Sequence, residues 1–251
     1  RHWQIGQNWN NFGDEMIWPN IMEWEGPPSG IWLRSPHIKY SNNFKRKSWI
    51  YEISIEAPIT NYISLQEIDL EVQEAYQVTP DLTFAVKNRY NWGHIRLSSI
   101  LRNVRYKQND QIDNFLGYGL AFSGIYATER KNNLQFQLVG GKGITAYMTS
   151  ISGLGYDGYT NIDDQFVSTP AYGGWISYEY FFTPRLHSNI VFGSTIYGFN
   201  DVKEFVLMGD EDMEETVVQG DFENFHYYLN NPYFEIKIYT VDGLSNNSRV
   251  S

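Results

Sequence analysis

The segment Trp49–Glu56, WIYEISIE, sets apolar Trp49, Tyr51, Ile53 and Ile55 against polar Glu52, Ser54 and Glu56. Such alternation marks a strand, because successive side chains leave a strand on opposite faces. The same rule holds in Asp81–Tyr90, with Leu82, Phe84, Val86 and Tyr90 on one face and Thr83, Ala85, Lys87 and Arg89 on the other. His94–Tyr106 places Ile95, Leu97 and Leu101 opposite Arg96, Ser98 and Arg102. Leu134, Phe136 and Leu138 alternate with Gln135 and Gln137, and Tyr172, Ile176, Tyr178, Tyr180 and Phe182 with Gly173, Ser177 and Glu179. Ser64–Ala75 is the one stretch with a helical pattern, and it falls in a loop. A chain written in period two nearly throughout is confined to large antiparallel sheets.

The connections narrow the choice. The long stretches Asn10–Gly30, Asn61–Pro80, Gln108–Gly117, Thr149–Pro170 and Asn200–Glu223 alternate with short turns at Asn42–Lys47, Trp92–Gly93, Arg130–Asn133, Thr183–Leu186 and Asn230–Pro232. This sorting predicts an up-and-down meander of about twelve strands with its long loops at one end, as in transmembrane barrels. Greek-key sandwiches mix the lengths instead. The last strand, from Asn247, is expected to run inward from the long-loop end.

Composition fits that class. Aromatics reach 17 %, yet mean hydropathy is −0.44. No run approaches 18 apolar residues, so no helix of this chain crosses a membrane, but barrel strands leave no such signal. Absence of Cys excludes disulfides and thiolate metal sites. A net charge of −10 argues against nucleic acid as a partner. The fold expected is therefore an all-β, antiparallel up-and-down transmembrane β-barrel, with residues 1–251 as a single domain. The chain opens at Arg1 inside a strand-like run and closes on another. It is expected to be a fragment whose barrel stays open or half closed.

Asn10–Gly30 is too rich for a solvated loop. It holds Trp18, Trp24, Met16, Met22, the acids Asp14, Glu15, Glu23 and Glu25, and prolines at 19, 27 and 28. Large apolar side chains in a proline-broken loop predict a segment folded back onto the sheet.

Several stretches carry a resemblance. In GQNWNNFGDEMIWPNIMEWEGPPSGIWLRSPHIKY the positions that carry it are Gly6, Trp9, Phe12, Pro19, Glu25-Gly26-Pro27, Arg34 and Pro36. RYNWGHIRLSSILRNVRY, GYGLAFSG, QLVGGKGITAYM, GGWISYEYFFTPRLHSNIVFG and VDGLSNNSRVS follow in order. Together these stretches resemble one family, the DcaP-like porins of Gram-negative outer membranes. The resemblance implies a barrel of about sixteen strands, of which this chain carries the C-terminal portion. It implies an outer-membrane location, a lipid bilayer or lipopolysaccharide surround, a homotrimer, small anionic solutes such as dicarboxylates, and no cofactor. Asn10–Gly30 then corresponds to the third long loop, which in general porins folds into the lumen and narrows it. Asn200–Asn247 matches poorly.

A pore selects by width and by the charge along its wall. Polar faces should point into the lumen, since a charge facing lipid costs about 2–4 kcal/mol at mid-depth. That puts Lys87, Arg89, Arg96 and Arg102 inside, with Arg34 and Arg1 as further candidates. This basic row should face Asp14, Glu15, Glu23 and Glu25 of the loop across the pore, with Trp18 and Trp24 beside them. Guanidinium forks suit carboxylate solutes. In the plainer alternative, the arginines neutralise buried acids and fasten the loop to the wall. Glu52, Glu56 and Glu179 are expected to line the lumen. Trp49, Trp92, Tyr106 and Tyr118 are expected at the membrane interfaces.

Enzymatic readings find little support. The five His are scattered, without metal-ligand spacing. Gly140–Gly143 lacks phosphate-loop spacing. Gly209–Glu215 is acidic but out of EF-hand register, and no carboxylate pair is marked for glycoside hydrolysis. The function expected is passive diffusion of small hydrophilic, anionic solutes. A β-rich carbohydrate-binding surface module and a barrel enzyme are the alternatives.

Overall fold

The computed structural model describes residues 2–21, 26–44, 48–58, 72–75, 79–108, 111–128, 132–152, 156–160, 166–183, 186–198, 234–239 and 245–250. Its strands are β1 (Trp3–Trp9), β2 (Arg34–Asn43), β3 (Trp49–Glu56), β4 (Val72–Ala75), β5 (Asp81–Tyr90), β6 (Gly93–Gln108), β7 (Gln111–Ala127), β8 (Asn133–Lys142), β9 (Gly158–Thr160), β10 (Phe166–Ser168), β11 (Pro170–Thr183), β12 (Leu186–Tyr197), β13 (Phe234–Tyr239) and β14 (Ser245–Val250). One 12-stranded sheet runs in the order β1-β2-β3-β5-β6-β7-β8-β11-β12-β13-β14, with β4 added against β6. Neighbours are antiparallel, and the sheet is open, with β1 and β14 as its edges. β9 and β10 form a separate small hairpin.

Burial is inverted relative to a soluble sheet. In β3 the apolar row Trp49, Ile53 and Ile55 is exposed, while Ser54 and Glu56 are buried. In β5 Leu82 and Phe84 are exposed, while Asp81, Thr83 and Lys87 are buried. Leu97, Leu101, Leu120, Phe122, Leu138, Ile176, Ile190 and Phe192 continue the outer apolar face across β6 to β12. A continuous apolar face of this extent, backed by a charged concave face, suits hydrocarbon outside and polar filling within. Near the short turns Tyr90 stacks on Trp92 at 4.5 Å, and Tyr126 lies 5.5 Å from Trp92. Trp49 and Trp92 thus sit at one rim and Tyr118 toward the other, whereas the Tyr106 side chain lies outside the described residues.

Two long connections lie against the inner face. The first joins β1 to β2 and buries Phe12, Ile17 and Ile31. The second joins β8 to β11, contains a 3₁₀ turn at Thr145–Tyr147, and buries Ile144, Tyr147, Met148 and Ile151. Together they pack on Ile100, Ala121, Val139 and Ala171, so the core lies on the concave side of the wall. Gly119 makes room there: a methyl group on it would sit 3.0 Å from Phe12 and 3.1 Å from Ile144. The loops also join each other through an Ile31–Met148 bridge and a Thr149 N–H to Gly30 carbonyl bond of 2.9 Å.

Three expectations are corrected. Gln108–Gly117 is no loop: β6 and β7 remain paired out to Gln108–Gln111 and form one projecting hairpin. Its period continues through Phe115 and Leu116, so hydrogen bonding persists where turn-favouring Asn and Asp suggested a break. Within Ser64–Ala75 the described part, Val72–Ala75, is a strand that takes its register from β6 rather than a helix. β14 is antiparallel to β13 and runs toward the long-loop end, opposite to the direction expected. The acidic stretch Asn200–Glu223 and the turn Asn230–Pro232 lie outside the described residues.

Candidate functional site

The strand phase that points outward-facing leucines at one side puts His37 and Lys39 of β2, Glu52 and Glu56 of β3, Lys87 of β5, and Arg96 and Arg102 of β6 on the concave face. The first loop crosses this face. Near its start, the Asn11 backbone N–H donates to Glu56 Oε1 at 2.8 Å, and Ser98 Oγ donates to the Phe12 carbonyl at 2.6 Å. Arg96 donates to the carbonyls of Asn11 and Gly13 and to Glu52 Oε2 at 3.1 Å. Asp14 accepts from His94 Nε2 at 2.7 Å and from Ser123 Oγ at 2.9 Å.

At its far end the loop reaches the other side of the sheet. Asn20 Nδ2 donates to Glu179 Oε1 at 2.7 Å, and Asn189 Nδ2 donates to the Asn20 carbonyl at 3.1 Å. Ser29 has a positive φ of 59°, a conformation that costs energy for a residue with a Cβ. It is held there by Oγ bonding to Ser194 O at 2.7 Å and by Gln137 Nε2 donating to its carbonyl at 2.6 Å. The segment is therefore a strap across the concave face, fastened on β3, β6 and β7 at one end and on β8, β11 and β12 at the other.

Burial alone would raise the Asp14 carboxyl. The hydrogen bond from His94 and the charge of Arg96 outweigh it and hold the group well below the usual carboxylate range. Asp14 is therefore an acceptor near neutral pH.

The second loop has its own clamp. Arg102, 1 % exposed, donates from Nε to Asp81 Oδ2 at 3.1 Å, from Nη1 to Asp157 Oδ2 at 3.0 Å and to the Gly143 carbonyl at 2.6 Å. Asp157 Oδ1 in turn accepts from Thr145 Oγ1 and the Ala146 N–H, both at 3.0 Å. Tyr147 OH donates to Asp81. Burial and the neighbouring Asp81 carboxylate push this phenol well above its ordinary range, so it stays a donor.

The residues anticipated from sequence divide accordingly. Arg96 and Arg102 reach the concave face, and both are committed to loop carbonyls and buried acids. Lys87 is there too, its Nζ 3.7 Å from the Met16 thioether. Arg89 shares that face two residues on but is exposed beside the β5–β6 turn. Arg34 does not join them: it is exposed in the outward row with Pro36 and Ile38, its guanidinium 5.6 Å over the Trp9 ring. Positions 34, 36 and 38 of β2 face outward, and Arg34 takes their side. Asp14 is buried and Glu15 exposed at the mouth of the strap. Trp18 stacks on Trp32 at 4.1 Å, and Trp32 on Trp9 at 3.8 Å, so Trp18 staples the strap to its root. Glu23, Trp24 and Glu25 lie outside the described residues.

Sequence reasoning passed over Lys39, His94, Asp81 and Asp157. Lys39 was legible, since it holds the inward phase of SPHIKY opposite Ile38. Between strap and wall is a polar recess where Lys39, Lys87 and Arg96 face Asp14, Glu15 and Glu52.

No protein-family model matches the chain. No curated protein matches it in sequence. A structural match decides the architecture: the outer membrane channel DcaP of Acinetobacter baumannii superposes with a TM-score of 0.66 over 99 % of this chain and 69 % of that one, at 15 % identity. The chain has the fold of an outer-membrane β-barrel channel. At that identity the likeness is one of fold.

Proposed function

We propose that this chain forms the wall of an outer-membrane channel in a Gram-negative bacterium, through which small hydrophilic solutes diffuse passively. One observation carries the reading: a single sheet exposes its apolar face and buries a charged one, with a loop strapped across the charged side. Lipid accepts a sheet only with its backbone paired and its outward side chains apolar. The fold shared with a known outer membrane channel supports the same reading. The strap narrows the lumen, and rows of opposite charge give the narrowing a transverse field in which polar solutes orient.

Carboxylate-bearing solutes suit this passage, with Lys39 and Lys87 offering the contacts that Arg96 and Arg102 have already given to the protein. The channel has no catalytic step, and it works as an oligomer, a trimer in our reading. Fractionation of cells expressing the protein tests the assignment. It should sediment with outer membranes, resist carbonate extraction and migrate faster unheated than boiled. Recovery in a soluble fraction would refute it.

A further inference from the structure

We propose that the outer face of β8, β11 and β12 binds one anionic lipid, with its phosphate on Lys142 and one acyl chain in a groove over Gly174. The inference rests on the channel reading and concerns the outer face of the wall rather than the passage.

The charge pattern of that face points to the headgroup. The outward rows of β1, β2, β3, β5, β6, β7, β8, β11 and β12 hold no Asp or Glu among the described residues. The chain as a whole has 29 acids and a net charge of −10. The charges those rows do show are Arg34, Arg105 and Lys142, all cations and all toward the long-loop end. A charge facing lipid is costly at mid-depth and tolerated near the interfaces, and Lys142 is the last residue of β8. It is exposed, lies in register between Tyr118 and Pro170, and enters no ion pair among the described residues. Tyr118 and Tyr172 stand exposed beside it, the second with its ring over Gly140. An ammonium in this place is a point-charge partner for a phosphate.

The groove is the second observation. Gly174 lies in register between Leu138 and Ser194, so two small residues interrupt the apolar face. Phe136, Leu138, Ile176 and Phe192 wall the gap, an open groove of about 630 Å³. Ligand sites span about 300–1,000 Å³. Leu138 is about 13 Å from Lys142 along the same strand face, toward the membrane centre. A lipid headed by a phosphate at Lys142 therefore lays an acyl chain along the line to the groove. A second copy of the chain is a poorer occupant, because its outward rows bring Lys142 no acid.

Native mass spectrometry of the detergent-purified protein tests the proposal, with diphosphoryl lipid A and phosphatidylcholine titrated separately. The wild type should bind lipid A more tightly than phosphatidylcholine. Lys142→Gln should weaken lipid A binding about fivefold, the effect of one cation at an anionic membrane surface, and leave phosphatidylcholine unmoved. Ser194→Phe, which fills the groove from the lipid side, should weaken both lipids. Both variants should still migrate faster unheated than boiled. Equal affinity of the wild type for the two lipids, or lipid A binding unchanged in both variants, overturns the lipid site and leaves the channel standing. Loss of subunits rather than of lipid in Ser194→Phe assigns the groove to a second copy and overturns the site too. Protein recovered in the soluble fraction that binds neither lipid overturns the channel reading and the site together.

Discussion

Arg102 of the wall and Asp157 of the second loop meet at 3.0 Å, both buried. The guanidinium that could have faced a solute instead bolts a loop to the strand. Replacing Arg102 with Ala leaves Asp81 and Asp157 buried without their cation, a loss of about 3–5 kcal/mol. The thermal midpoint of the detergent-folded protein should fall sharply. Asp157→Asn, which keeps hydrogen-bonding capacity, should cost less than Arg102→Ala.

Arg34→Ala should leave ion selectivity unchanged, because Arg34 lies outside over Trp9. Reversal potentials across a salt gradient measure this directly. A shift toward cations on losing Arg34 would place its charge in the conduction path after all.

Arg96→Ala should loosen the near end of the strap, since four loop carbonyl or carboxamide contacts disappear together. Single-channel conductance should rise and open-channel noise increase. A conservative Arg96→Lys cannot span the same carbonyls and should show an intermediate effect.

Gly173→Ala tests the far end. A methyl group there would come 1.8 Å from Ser29 Oγ and 2.5 Å from the Ser194 carbonyl. Accommodating it costs about 1–3 kcal/mol by overpacking and displaces Ser29 from its partners. Limited proteolysis should then cut within the strap faster than in the wild type.

Acid should release the strap in a defined direction. The Asp14 carboxyl is depressed in the folded protein, so its contribution is complete above the unfolded value of about 4 and is lost as the pH falls below it. Across pH 5–8 this group contributes a constant amount. Conductance noise should grow below about pH 4, and Asp14→Asn should show the noisier behaviour at neutral pH with a weaker acid response.

The wall was legible in the sequence because a sheet in lipid writes its two environments in alternate letters, as WIYEISIE and DLTFAVK do. Loop ends were less so: Gln108–Gly117 carries turn-forming residues, yet cross-strand pairing carries the ladder through them. Asn10–Gly30 announced itself by tryptophans and prolines in a loop. The employment of each charge was hidden. Arg96 and Arg102 look alike in sequence to free cations, and what distinguishes them is the Asn11 and Gly13 carbonyls and Glu52 around the first and Asp81 and Asp157 around the second, brought close by pairings and loops far apart in the chain. Lys39, on the same inner face, sat in a phase already established by its neighbours.

Incorporation of the purified protein into a planar lipid bilayer tests the central claim most directly. The account predicts stepwise, ohmic ion currents whose size increases when Arg96 is replaced by Ala. Folded, membrane-inserted protein that passes no current, in wild type and variant alike, would contradict it.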